Sequence, residues 1–190
     1  MTNNFDKIAW CYDWLSRLIF GQRLVHASAS FLEIIAPSDK TLILGGGSGK
    51  ILQQLRHVES LVFLDLSAQM IERASMRATH KIAFVQEDFL KWRPAGKFDA
   101  IVCPFFLDVF NKPELLAAMD SIQNLSTSDT KLIVADFESN NWLSAQFASV
   151  MYLFFRISVK LSGTRLLQIN EVILENNFKL IQEKNWMCGL

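Results

Sequence analysis

The sequence predicts an α/β protein built on a doubly wound, mostly parallel sheet. Three observations predict it. Short apolar runs alternate with amphipathic segments along the chain. The first of these runs, Leu42-Ile43-Leu44, stops abruptly in Gly45-Gly46-Gly47-Ser48-Gly49. The chain has 190 residues, 51% of them hydrophobic, enough for one such domain and its core but too few for two. Strands that alternate with helices are covered on both faces, so they read as nearly continuous apolar runs. One domain over residues 1–190 is therefore expected.

The elements follow in order. Phe5 to Phe20 places Ile8, Trp10, Trp14, Leu15, Leu18 and Ile19 at mostly helical spacing, which predicts one or two helices before Gly21. A helix is expected from Arg23 to Ile35, ahead of Pro37. Strand one is expected over Thr41 to Gly45. A helix from Gly49 to Val58 would carry Ile51, Leu52, Leu55 and Val58 on one face. Strand two is Leu61 to Asp65, followed by a helix over Ala68 to Ala78 that Ser67 is placed to cap. Strands three and four are Ile82 to Gln86 and Ala100 to Cys103. Pro113, favoured in a first turn, opens a helix over Glu114 to Leu125. Strand five is Lys131 to Phe137. Helices over Asn141 to Ser158 and Arg165 to Asn176 precede strand six, Phe178 to Trp186. The loops are short and predict no interdomain linker.

Composition narrows the function. Nineteen Lys and Arg balance nineteen Asp and Glu, with no dense basic run, against a nucleic-acid binder that works by neutralising phosphates. The three Cys and three His are scattered and show no metal-ligand spacing, so no metal is expected. The N-terminus lacks the basic and apolar regions of a signal peptide. The longest apolar stretch, Val150 to Phe155, stops at Arg156, well short of a membrane span. A reducing cytoplasm is the expected setting.

The glycine turn carries the chemistry. Glycine reaches positive φ without penalty and leaves no Cβ in the way of a ligand lying on the backbone. Gly45, Gly47 and Gly49 read G-x-G-x-G. The dinucleotide fingerprint G-x-G-x-x-G would need glycine where Lys50 stands, and the Walker loop fails at Leu44 and Ile51. The second apolar run ends in Asp65, and in nucleotide-binding α/β sheets a carboxylate there accepts from ribose hydroxyls.

The turn resembles motif I of the class I S-adenosylmethionine-dependent methyltransferases. Asp65-Leu66-Ser67-Ala68-Gln69-Met70 is similar to that family's segment after strand two, Val85-Gln86-Glu87-Asp88-Phe89 to its third motif, and Phe98-Asp99-Ala100-Ile101-Val102-Cys103 to its fourth. The likeness covers about Asp39 to Phe137, with looser flanks. It implies a donor site of Gly45, Gly46, Gly47, Gly49, Asp65, Leu66, Met70, Asp88, Phe89 and Cys103 for S-adenosylmethionine, with S-adenosylhomocysteine as product. Met70 would pack on adenine and Asp88 would accept from its 6-amino group. Asp108, just past strand four, becomes the candidate base, with Tyr12 and His26 weaker candidates.

The segment from Phe5 to Trp14 resembles the lid helix of quinone-biosynthesis and related small-molecule methyltransferases. Residues 1–36 are then expected as lid and 139–165 as acceptor cover. Tyr12, Trp14, Phe105 and Phe106 would line the pocket of a small, apolar or aromatic acceptor. The family's strand order is 3-2-1-4-5-7-6. Only four residues follow Trp186, so strand seven is expected to be missing or cut short. The family's usual acid in strand one is replaced by Ile43, which keeps a non-catalytic binding module open beside the enzyme. A nicotinamide-dependent oxidoreductase is disfavoured by Lys50 and by the lack of a Tyr-x-x-x-Lys pair. Nothing in the sequence sets the oligomeric state.

Overall fold

The structure is a computed structural model that describes residues 23–136 and 169–184. Five strands form one sheet: β1 (Lys40–Leu44), β2 (Ser60–Asp65), β3 (Ala83–Gln86), β4 (Phe98–Pro104) and β5 (Ser126–Ala135). All neighbours are parallel, in the order β3-β2-β1-β4-β5. Among the described residues the α-helices are α1 (Arg23–Ser28), α2 (Ala68–Ser75), α3 (Lys112–Leu125) and α4 (Ile169–Glu175). The doubly wound parallel sheet expected from the alternation is present, with the order reversing between β1 and β4.

Two cores explain why the central strands read as unbroken apolar runs. Leu42 and Leu44 of β1 and Ile101 and Cys103 of β4 face a core shared with Leu115, Met119 and Ile122 of α3 and Ile169 of α4. Ile43, Ala100 and Val102 face the opposite core, with Leu52, Leu55, Phe63 and Ala74. Alternation with period two fixes these faces. Phe98 breaks the pattern, because it shares parity with Ala100 yet packs in the first core. The β4–β5 register shifts between Phe98 and Ala100, and such an irregularity turns a side chain to the other face.

Sequence and structure part at three elements. The helix expected over Gly49 to Val58 is a 3-10 helix, Lys50–Gln53, continued by turns. Its amides bond three residues back: Leu52 to Gly49, Gln54 to Ile51, Leu55 to Leu52 and Val58 to Leu55. With three residues per turn, Leu52, Leu55 and Val58 stack on one face, and all three are buried. The helix expected over Arg23 to Ile35 ends at Ser28, and a 3-10 turn, Leu32–Ile34, follows Phe31 in the left-handed region at φ 65. Strand six, expected over Phe178 to Trp186, does not form across 178–184; Leu180 and Ile181 lie exposed there. A strand exists only beside a partner ladder, which local pattern cannot supply.

Smaller adjustments are at element ends. β5 starts at Ser126 and ends at Ala135, leaving Asp136 beyond the strand. α3 starts at Lys112, where Asn111 and Glu114 form a reciprocal capping box. Ser67 caps α2 as expected, its Oγ accepting from the Met70 amide at 3.3 Å. No helix among the described residues is long and apolar enough to cross a membrane. The lid and cover segments expected over 1–36 and 139–165 lie largely or wholly outside the described residues.

Two glycines of the β1 turn differ in what surrounds them. Gly49 sits at φ 78, and a Cβ there would come within 2.7 Å of the Ala74 Cα in α2. Gly47 sits at φ 56, and a Cβ there would meet nothing within 4 Å. Gly49→Ala is therefore expected to lose about 2–4 kcal/mol, from left-handed strain plus displaced helix backbone, and Gly47→Ala about 1 kcal/mol from strain alone. Urea denaturation of both variants checks this; equal losses would mean that α2 does not press on the turn.

Candidate active site

The carboxyl ends of β1, β2 and β4 converge where the strand order reverses, the usual ligand crevice of such sheets. The chain leaves β1 through Gly45, whose amide still donates to the Leu64 carbonyl of β2 at 2.9 Å. The turn closes by a bond from the Gly49 amide to the Gly46 carbonyl at 3.1 Å. Beneath it, the Phe63 ring and Ile43 fill the space that a Cβ on Gly46 would need. Beside it, Phe106 lies against Gly45, where a Cβ would come within 2.5 Å of the ring. Only Gly47 faces open space.

Asp65 ties this turn to the next element. Its Oδ2 accepts from the Gly47 amide at 3.1 Å and its Oδ1 from the Ser67 amide at 2.9 Å. The acid at the tip of β2 is thus fixed by the turn it faces. Leu66 follows it and is 44% exposed, an apolar surface beside the acid. Arg77 holds the other side of the turn, its guanidinium donating to the Ser48 carbonyl at 2.6 Å and the Arg73 carbonyl at 3.3 Å.

Other predicted residues take different places. Met70 and Phe89 are buried, Met70 on the inner side of α2 and Phe89 in the core under α3. Phe89 meets Phe106 edge-on at 5.7 Å between centroids, and Phe106 meets Phe110 at 5.1 Å. Asp88 accepts from the Leu90 amide at 3.1 Å and pairs with Lys91 at 3.2 Å, so its carboxylate also serves its own turn. Cys103 is fully buried; burial, then the nearby Asp136 charge, pushes its thiol far above the ordinary range, which leaves it unreactive. Ile43 is core. Tyr12 and Trp14 lie outside the described residues.

The end of β4 holds a second cluster. Phe105 adopts φ 53, an unfavourable conformation for an aromatic residue, and its amide donates to the Ala135 carbonyl of β5 at 2.6 Å. The chain then turns so that the Asp108 amide donates to Asp136 Oδ2 at 3.2 Å. The two carboxyl groups lie together, and Asp108 Oδ1 is buried without a hydrogen-bond partner. Burial pushes the Asp108 carboxyl up to about 6, against smaller lowering effects from Asp136 and the backbone. Asp136 is the residue that sequence reasoning missed. Strand five was expected to run through it to Phe137, which hid an acid at a strand end inside a strand. Among the described residues no three or more His, Cys, Asp or Glu gather as metal ligands.

Residues 42–129 match a family model described as a methyltransferase domain. That match covers a little less than half of the chain, and over it the chain is similar to a methyltransferase domain. Solved structures share the fold. A Thermotoga maritima protein described as an S-adenosylmethionine-dependent methyltransferase, possible histamine N-methyltransferase, superimposes with a TM-score of 0.70 at 13% identity, covering 93% of this chain and 80% of its own. An S-adenosylmethionine-dependent methyltransferase from Clostridium acetobutylicum gives 0.54 at 18% identity, covering 65% and 56%. An S-adenosylmethionine-bound amino pentose methyltransferase from Micromonospora echinaspora gives 0.56 at 18% identity, covering 67% and 56%. The aligned part thus spans little more than half the length of the latter two. No curated protein matches in sequence.

The raised Asp108 carboxyl has a consequence for stability. Between pH 3.8, its ordinary value, and about 6, the folded domain holds a proton that the unfolded chain has already released. The group therefore stabilises the fold at low pH and withdraws that support as pH rises to about 6. Asp108→Asn is expected to remove this loss, making the variant more stable than the parent at pH 7.5 by about 1–3 kcal/mol, with no advantage below pH 4. Guanidinium melts across pH 4–8 check it; a gap independent of pH would contradict a buried, titrating carboxyl.

Proposed function

We propose that this chain transfers a methyl group from S-adenosylmethionine to a small-molecule acceptor. The observation that carries the reading is the open face of Gly47, the one glycine of the turn with no protein atom where a Cβ would stand, held against the Asp65 carboxylate. A nucleoside fits this pairing. The turn backbone lies open to the ligand, and the carboxylate can accept from ribose hydroxyls. Leu66 offers apolar surface for a base. The family match and the fold shared with proteins described as S-adenosylmethionine-dependent methyltransferases support the donor.

The bound donor would supply an activated sulfonium methyl group, open to in-line displacement. The chain's own residues hold and orient. Asp65 and the glycine turn would fix the nucleoside, while Phe105, Phe106 and Phe110 border the acceptor side and exclude water. Asp108 is the base for an acceptor that must lose a proton. The aromatic wall suits an apolar or aromatic acceptor body. Such a role calls for no bound metal.

Calorimetric titration with S-adenosylhomocysteine tests the donor site. Gly47→Val is expected to abolish binding while the protein stays folded; unchanged affinity would place the site elsewhere. Asp65→Ala should weaken binding about ten- to a hundredfold, the worth of a charge-assisted hydrogen bond of about 1.5–3 kcal/mol. A loss under about threefold would leave Asp65 as a structural tie alone. Donor binding without turnover over a broad acceptor panel would favour a binding module, which the buried Ile43 in place of the family's acid would then explain.

A further inference from the structure

A turn made of glycine cannot hold its own shape. Between Gly45 and Gly49 only Ser48 carries a side chain that could lock a peptide plane. Glycine passes between positive and negative φ at little cost, so peptides in such a turn can flip. Gly45, Gly47 and Gly49 all sit at positive φ, at 66, 56 and 78. Groups outside the turn must select that one arrangement.

Two charged side chains do so, one just before α2 and one just after it. Asp65 accepts from the Gly47 amide at 3.1 Å and from the amide of Ser67, the α2 N-cap, at 2.9 Å. Arg77 donates from Nη1 to the Ser48 carbonyl at 2.6 Å and to the Arg73 carbonyl at 3.3 Å. Between them α2 presses on Gly49, where a Cβ would come within 2.7 Å of the Ala74 Cα. An anion thus holds an N–H of the turn and a cation holds a C=O, and both bonds are of the stronger, charge-assisted kind.

The two ties fix alternate peptides. The peptide from Gly46 to Gly47 has its N–H on Asp65, and its carbonyl accepts from the Gly49 amide at 3.1 Å. The peptide from Ser48 to Gly49 has its carbonyl on Arg77 and that same amide on Gly46. The peptide from Gly47 to Ser48 lies between them, at the open face of Gly47, and its direction follows from its two neighbours.

We propose that Arg77 is a positioning residue for the donor: its hold on the Ser48 carbonyl keeps the turn in the arrangement that accepts the nucleoside. This rests on the methyl-transfer reading above. Without the guanidinium, the peptide from Ser48 to Gly49 can turn away, and the Gly49 amide leaves Gly46. Only the fraction of molecules still in the original arrangement then binds, and the dissociation constant rises by the inverse of that fraction. Both Arg77 bonds leave from one nitrogen, not from the guanidinium fork, so an ammonium on a similar stem can replace it.

The test compares the full chain with its Arg77→Met and Arg77→Lys variants, using S-adenosylhomocysteine as the probe. Arg77→Met keeps an apolar stem and loses the charge and the donors. It is expected to bind about tenfold more weakly, with the loss in the association rate and a dissociation rate within about twofold of the parent. Arg77→Lys should recover affinity to within about threefold of the parent. In the ligand-free protein the Gly49 amide should exchange with solvent at least about tenfold faster in Arg77→Met, while the Ile101 and Val102 amides of β4 keep the parent rate. A residue that served overall stability alone would speed the β4 amides equally and leave the affinity of the folded chain untouched. Binding by Arg77→Met within about twofold of the parent, a loss confined to faster dissociation, or an unchanged Gly49 amide overturns the proposal. A parent that does not bind S-adenosylhomocysteine overturns the methyl-transfer reading instead, and Gly49 exchange still decides whether Arg77 holds the turn.

Discussion

The crevice depends on one carboxylate. Asp65 ends β2 and accepts from the Gly47 amide with one oxygen and the Ser67 amide with the other. It thereby joins three pieces that are separate in sequence: the turn after β1, the tip of β2 and the start of α2. Parallel pairing makes this possible, because β1 and β2 stay in register from Lys40 and Ser60 through Leu44 and Leu64. The turn is then anchored from every side. Phe63 lies beneath Gly46, Phe106 beside Gly45, α2 against Gly49 and Arg77 on the Ser48 carbonyl. What remains open is the Gly47 face. A flexible glycine-rich loop would lose entropy on binding a ligand, and these contacts have removed much of that loss beforehand.

The crevice has two halves with different physics. On the β2 side the groups are polar and already satisfied by backbone amides, which suits a hydroxyl-rich ligand that adds hydrogen bonds to a fixed frame. On the β4 side the groups are aromatic and strained, with Phe105 in the left-handed region and a carboxyl oxygen left without a donor. The cost of that second cluster is borne by the sheet, whose central strands are buried on both faces and whose α3 is capped at Asn111 and packed through five buried side chains. A rigid base of this kind can hold a local arrangement that would relax on a looser scaffold.

By itself the sequence determined the fold class, the first five strands and the glycine turn after β1. The signals were local and strong: apolar runs of strand length, glycines at fixed spacing, an acid at a strand tip, and Ser67 and Pro113 at helix starts. The tertiary structure decided the rest, because each remaining feature depends on a neighbour distant in sequence. The apolar pattern of residues 50–58 fits an α-helix and a 3-10 turn equally well until the core chooses the three-residue repeat. The apolar run at 178–184 looks like a strand but has no ladder beside it among the described strands. Ile43, Met70, Phe89 and Cys103 all sit on apolar stretches, and only the tertiary structure shows that these side chains are buried. Asp108 and Asp136 are 28 residues apart. Their pairing exists only because β4 and β5 end together, which hydrogen bonding between strands imposes and no local pattern encodes.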